Sequence, residues 1–80
     1  MKYENEIRGI IRKTLELGMN QFYVSVHDGS LFWSDEEKLS LPAGVVSDIC
    51  DEMIVSGLVE KGAVSSMRKF FMLTPCAKDF

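Results

Sequence analysis

Three carboxylates fall on one side of a predicted helix in the second half of the chain. Asp48, Asp51 and Glu52 follow a spacing of three and four residues, which places side chains on one helix face, and Val55 continues the row. Carboxylates attract cations and repel DNA, which carries one negative charge per ~1.7 Å of duplex axis. The row therefore indicates a surface for a basic partner. An ordinary solvated acidic face is the alternative interpretation.

The basic side chains that would suit a phosphate lie elsewhere. Lys61, Arg68 and Lys69 flank a predicted hairpin near the carboxyl end. Lysine and arginine supply many of the contacts that proteins make with phosphate oxygens. Because short cationic loops and polar helix faces are also ordinary surface, nucleic-acid binding stays an alternative. Its candidate residues are Ser47, Lys61, Arg68, Lys69, Arg8, Arg12 and Lys13.

No residue set typical of catalysis or of metal binding is present. The one histidine, His27, stands beside a predicted tight turn, and the two cysteines, Cys50 and Cys76, are expected to be small core residues. The sequence has no Gly-rich phosphate loop and no motif that pairs a nucleophile with a base. It also lacks a metal-ligand set. We therefore predict a protein that is not an enzyme and that uses no cofactor and no metal.

The charge is concentrated in the middle of the chain. Residues 28–52 carry seven acidic side chains and one lysine, within a net charge of −3 for the 80 residues. A chain of this length makes a single domain, residues 1–80. No apolar run approaches the ~20 residues that span a bilayer, and the first residues lack the apolar stretch of a secretion signal. We expect a cytoplasmic protein without a membrane partner.

Two amphipathic helices are predicted from the apolar periodicity. The first covers about residues 3–17 and the second about residues 45–56, and each is followed by a glycine, Gly18 or Gly57. The predicted buried stripes are Ile7, Ile10, Ile11, Thr14 and Leu15 in the first helix, and Val45, Val46, Ile49, Cys50, Met53 and Ile54 in the second.

The dipeptide Asp28-Gly29 predicts a hairpin over residues 22–33. A two-residue type I′ turn needs positive φ at both positions, and Asp-Gly is among the pairs that supply it. Because side chains alternate between the faces of a strand, the pairing also fixes which of them face the core. The core face then carries Val24, Val26, Leu31 and Trp33, with Val26 opposite Leu31 and Val24 opposite Trp33, and the other face carries Tyr23, Ser25 and Phe32.

A short helix over about residues 35–40 is predicted next. Ser34 suits its N-cap, and Glu37 three residues later completes a capping box. After the second helix, two stretches rich in β-formers, 58–62 and 68–74, predict two strands.

Two adjacent aromatic residues of the last predicted strand, Phe70 and Phe71, must point to opposite faces of the sheet. We expect one of them to be partly exposed, where it suits a protein interface.

The segment LSLPAGVVSDICDEMIVSGLVEK resembles part of the winged helix-turn-helix regulators of the multiple-antibiotic-resistance type. In that family a short turn precedes a helix that contains a Val-Ser pair, which is Val46-Ser47 in this chain. The helix is followed by the tripeptide Gly-Leu-Val, residues 57–59 here, which leads into a β-hairpin called the wing. The end of the chain is similar to the returning wing strand, which often closes with Leu-Thr-Pro, here residues 73–75. The resemblance covers residues 39–80.

The resemblance implies an α+β fold with a helix, a β-hairpin, a short helix, a turn, a helix and a two-stranded wing. It also implies a DNA-reading helix, but family members tend to place arginine or lysine where this chain has Asp48 and Glu52. We therefore predict a small non-enzymatic winged-helix-like module, an adaptor or inhibitor, that binds another protein. The predicted protein-binding residues are Asp48, Asp51, Glu52 and Val55.

A transcriptional regulator that binds double-stranded DNA is the alternative function. It would use the basic wing, formed by Lys61, Arg68 and Lys69. A homodimer is compatible with either function.

Overall fold

The computed structural model describes residues 1–80 and has an α+β architecture. Two α-helices lie on one face of a five-stranded antiparallel sheet with strand order β3-β2-β1-β5-β4. The elements are α1 (Glu4–Glu16), β1 (Gln21–Ser25), β2 (Leu31–Phe32), β3 (Lys38–Leu39), α2 (Ala43–Val55), β4 (Val59–Val64), β5 (Arg68–Leu73) and a final 3₁₀ turn (Pro75–Asp79).

Both predicted helices are confirmed, and both end in the same way. Gly18 and Gly57 have φ of 71° and 74°, the left-handed conformation that glycine adopts without steric cost. After α2, the N–H of Gly57 donates to the carbonyl of Ile54 at 3.0 Å, and the N–H of Leu58 donates to that of Met53 at 2.9 Å. This pair of bonds is the Schellman motif. The same motif follows α1.

The predicted helix bounds and faces need two corrections. Helix α2 begins at Ala43, because Pro42 supplies a suitable φ for the residue that precedes a helix. Leu15 of α1 is 39 % exposed instead of buried. The stripe of α1 that reaches the sheet ends at Thr14, since the chain turns away at Leu17 and Gly18.

The predicted register of the first hairpin is wrong by two residues. Val24 pairs with Leu31, and Tyr23 pairs with Phe32. Only glycines have positive φ, so Asp28-Gly29 forms no type I′ turn and the chain reverses over residues 26–30. The N–H of Val26 instead donates to the carbonyl of Met67 at 2.9 Å, which continues the pairing of β1 with β5.

This longer reversal also places Val26 on the surface, where it is 48 % exposed, whereas the sequence predicted a core residue. Leu31 and Trp33 are buried as predicted, and Val24 packs partly buried against the core. The N–H of Ser30 donates to Oδ1 of Asp28 at 3.0 Å, and this bond lowers the pKa of the Asp28 carboxyl.

The predicted short helix over residues 35–40 is absent. Residues 34–37 form a tight turn, in which Oγ of Ser34 accepts a bond from the N–H of Glu36 at 3.3 Å, and β3 follows at once. Three consecutive acids supply no apolar face for a helix to bury. Leu39 packs against the core as the strand partner of Leu31.

The two strands predicted near the carboxyl end are confirmed as β4 and β5. They pair antiparallel, and a bulge lies between Lys61 and Val64. The 3₁₀ turn at Pro75–Asp79 is not predicted by the sequence pattern, and it places Ala77 in the core.

The core lies between the helices and the face of the sheet that they cover, which we call the inner face. One buried polar pair is part of it. Nε1–H of Trp33 donates to Oγ1 of Thr14 at 2.8 Å, and this hydroxyl donates to the carbonyl of Ile10 at 2.7 Å. Thr14 is thereby satisfied although it is fully buried. The largest buried apolar side chains are Phe22, Ile7, Ile10, Leu31, Ile49, Met53 and Val46.

The opposite face of the sheet, which we call the outer face, carries an aromatic row. Phe32, Tyr23 and Phe70 are neighbours across β2, β1 and β5, because Tyr23 pairs with both of the others. Phe71 points inward and is buried, so the prediction that Phe70 and Phe71 face opposite sides is confirmed. The three rings of the row lie outside the main core cluster.

Candidate protein-binding surface

The outward side of α2 carries the residues that the sequence predicted for protein binding. We call Asp48, Asp51, Glu52 and Val55 the α2 surface. Asp48 and Asp51 are exposed, and Val55 is 87 % exposed. They are held outward because the opposite side of the helix is buried at Val46, Ile49, Cys50 and Met53.

The carboxylates of the α2 surface form no ion pair. The three salt bridges of the protein use Glu4, Glu37 and Asp35 as acids. On α2, Oε1 of Glu52 accepts one long bond, 3.4 Å, from the backbone N–H of Tyr3. The surface therefore combines unpaired negative charge with an exposed apolar side chain.

Cys50 lies on the buried side of the same helix. Burial, with a smaller contribution from the neighbouring Asp51 carboxylate, raises the pKa of the Cys50 thiol to about 12. The thiol is thus protonated and unreactive at neutral pH. Cys76 is exposed, so the prediction that both cysteines are core residues is wrong for Cys76. It falls in the unpredicted 3₁₀ turn, where Ala77 faces inward instead.

A cleft of about 350 Å³ separates α2 from the β4–β5 hairpin. Lys61 and Lys69 line its sheet side, since Lys61 pairs with the inward-facing Phe71, and Lys69 pairs with Val24. Ser47 and Asp51 line its helix side. Two of the three predicted wing cations therefore face α2 across a cleft.

Arg68, the third of these predicted wing cations, lies on the other side of the sheet. Its guanidinium carbon is 4.6 Å from the centre of the Tyr23 ring, and its Nη2 donates to Oδ1 of Asp35 at 3.4 Å. The Tyr23 hydroxyl donates to the same oxygen at 3.2 Å. Burial and this carboxylate raise the pKa of the Tyr23 phenol, although the Arg68 charge partly opposes them.

The basic residues of α1 lie away from both the cleft and the outer face. Nη1 of Arg8 donates to the backbone carbonyl of Phe80 at 2.6 Å, and its guanidinium lies 4.8 Å from the centre of that ring. Nζ of Lys13 is 2.9 Å from Oε2 of Glu37. Arg12 is exposed beside Arg8. The predicted nucleic-acid set is therefore spread over the cleft, the outer face and α1.

Two further features bear on the kind of site. No three of the His, Cys, Asp and Glu side chains are grouped so that they would hold a metal ion. Neither helix combines the length and the apolar character needed to cross a membrane.

Comparison of the chain with known protein families, with curated proteins and with solved structures gives no match.

The cleft and the length of the aromatic row were not predicted from the sequence. The cleft depends on the direction in which Lys61 and Lys69 point, which follows from the register of three strands. That register is set by contacts far apart in the chain. A signal for the row was present, because alternation already placed Tyr23 and Phe32 on one face.

Proposed function

We propose that the protein is a small non-enzymatic module that binds another protein through the α2 surface. The observation that carries this proposal is Val55, an apolar side chain that is 87 % exposed beside carboxylates without an ionic partner. An apolar contact surrounded by charge is the usual composition of an interface with a polar rim. The complementary partner presents an apolar residue flanked by lysine or arginine, because complementary charge orients and speeds association.

We further propose that the domain is related to winged helices, which would give the α2 surface its structural frame. Strands β1, β5 and β4 are neighbours in that order, and α2 immediately precedes β4. In such a frame α2 occupies the position of the helix that reads DNA in regulators. Its carboxylates oppose that use, which is why we assign α2 to a protein partner.

Reversing the charge of the α2 surface is expected to abolish partner capture. The test variant replaces Asp48, Asp51 and Glu52 by lysine and is compared with the unmodified chain as bait in a lysate of the source cells. Proteins retained by the unmodified bait at moderate salt should be reduced at least about tenfold, because each acid–base contact becomes a repulsion. Recovery is measured by quantitative mass spectrometry.

A matched control separates the surface from the net charge. Glu16, Glu36 and Asp79 are exposed and unpaired, and replacing all three by lysine changes the net charge equally. The control should retain the partner, and Val55→Asp should lose it. Equal recovery with all four baits would refute the proposed surface.

DNA binding through the wing remains the alternative, and it makes a different prediction. Labelled duplex DNA would bind at low salt with an affinity that falls steeply as salt rises, and Lys69→Ala and Arg68→Ala would each reduce this slope by about one. Lys69 and Arg68 point to opposite faces of β5, which limits a shared phosphate contact. Fluorescence anisotropy that detects no binding at ~20 mM salt excludes this alternative.

A further inference from the structure

The outer face of the sheet has no element of the chain packed over its aromatic row, because both helices lie on the inner face. Phe32 and Phe70 are half-buried, and Met72 and Met67 are 41 % and 53 % exposed. Aromatic residues, methionine and arginine are the types enriched in protein interfaces. Arg68, beside Tyr23, completes this composition.

The absence of a side chain at one outer-face position of β4 is a second property that suits an interface. Gly62 of β4 lies on the outer face, where a Cβ atom would approach Phe70 and Met72 to 3.4–3.6 Å. The absence of a side chain there leaves the edges of Phe70 and Met72 accessible. Partly apolar sheet faces pack on one another about 10 Å apart.

The ring stacking argues against a nucleic acid as the occupant. The Tyr23 ring lies parallel to the Phe32 ring, with centres 5.4 Å apart and an angle of 6° between the planes. The Arg68 guanidinium lies over the Tyr23 ring, and Tyr23 is only 8 % exposed. Bases bind to aromatic platforms through free ring faces, and Tyr23 offers none.

The charges at the two ends of the face are opposite. Lys38 stands at the β3 edge, with its Nζ 5.7 Å from the centre of the Phe32 ring. Glu60 stands at the β4 edge, paired with the outward-facing Met72. Neither side chain forms a salt bridge within the chain. Such a pair of opposite charges at opposite edges of one face is complementary to a copy of itself.

We propose that the outer face is a homodimer interface, in which two copies of the chain pack their sheets face to face. The two-fold axis runs along the strands, in the plane between the two sheets. This axis places the β3 edge of one copy over the β4 edge of the other, so that Lys38 meets Glu60 at both ends. An axis across the strands would place β3 over β3 and Lys38 over Lys38. The charges therefore select the first arrangement.

The size of the face sets the expected affinity. β1, β4 and β5 have five or six residues each, whereas β2 and β3 have two each. At about 4.8 Å by 3.3 Å per residue the strands cover roughly 330 Å² in each copy, so the pair buries on the order of 700 Å² in total. This is smaller than a standard interface, so we expect a weak dimer that dissociates at about 10–300 μM.

Sedimentation equilibrium of the purified chain over about 1–500 μM spans this range and is expected to show a monomer–dimer equilibrium. Phe70→Asp should abolish the dimer, and Met72→Lys should weaken it at least about tenfold by placing a charge at the same face. Val55→Asp, an equally polar change on the α2 surface, should leave the equilibrium unchanged. Circular dichroism establishes that each variant is folded.

A charge exchange tests the arrangement itself. Lys38→Glu and Glu60→Lys should each weaken self-association, because like charges then meet at both ends. An equimolar mixture of these two variants should associate at least as well as the unmodified chain, since both contacts are again between opposite charges.

Several results would overturn the proposal. A chain that stays monomeric at the highest concentration excludes the homodimer. A dimer that survives in folded Phe70→Asp and Met72→Lys uses another surface, and a mixture that does not recover association excludes the proposed axis. Binding of a single-stranded oligonucleotide that is lost in Phe70→Asp, by a chain that is monomeric, would assign the face to nucleic acid.

Discussion

Replacing Gly29 by alanine is expected to destabilise the protein by about 2–4 kcal/mol, which lowers Tm by roughly 10–25 °C for a domain of this size. Gly29 has φ of 72°, and a Cβ atom there would lie 2.6 Å from Cβ of Ala43 and 3.3 Å from its Cα. Ala43 is the first residue of α2, so the obstacle is a Cβ atom fixed to the helix backbone, and it cannot rotate away. Thermal unfolding followed by circular dichroism measures the effect.

Gly18→Ala is the matched control for this variant. Gly18 has nearly the same φ, 71°, but a Cβ atom there would meet nothing within 4 Å. Gly18→Ala should therefore lower the free energy of unfolding only by the cost of the left-handed backbone conformation, about 1–2 kcal/mol. Ala43→Gly should recover part of the stability lost in Gly29→Ala. Equal losses for Gly29→Ala and Gly18→Ala would mean that the loop does not rest on α2 as described.

Thr14→Val is expected to destabilise the protein by about 1–3 kcal/mol, although valine has the shape of threonine and is more apolar. The reason is the buried indole of Trp33, whose Nε1–H donates to the Thr14 hydroxyl at 2.8 Å. Removing the hydroxyl leaves this donor without a partner in the core. Urea unfolding followed by circular dichroism gives the free energy of unfolding.

A double-mutant cycle with Trp33→Phe isolates the bond. Phenylalanine has no N–H, so Thr14→Val in that background should cost close to nothing. A coupling free energy of about 1–2 kcal/mol is expected between the two positions. Equal effects of Thr14→Val in both backgrounds would show that the hydroxyl acts through its bond to Ile10 alone.

The accuracy of the sequence-based predictions follows how local each determinant is. The two helices were predicted well, because periodicity and a following glycine at positions 18 and 57 are local signals. The register of the first hairpin was predicted wrongly, because it depends on β5, more than 40 residues further along the chain. Pairing with β5 holds β1 straight through Val26 and overrides the local Asp-Gly turn preference.

For the candidate site, too, the local features could be predicted and the long-range ones could not. The α2 surface could be predicted from residue spacing within one helix. The directions of Lys61, Arg68 and Lys69 could not be predicted, because each side chain of β4 and β5 takes its direction from the sheet register and from the bulge between Lys61 and Val64. The prediction of a short helix over residues 35–40 was wrong, because the capping pattern is present without an apolar face that would stabilise a helix.

The helices cover only one side of the sheet, and this has a consequence for valency. The α2 surface and the outer face are turned away from each other, so that occupation of one leaves the other accessible. A pair of chains joined through their sheets would display two identical acidic docking sites at opposite ends. A target with two suitably spaced basic segments would then gain avidity, because engagement of the first segment raises the local concentration of the second.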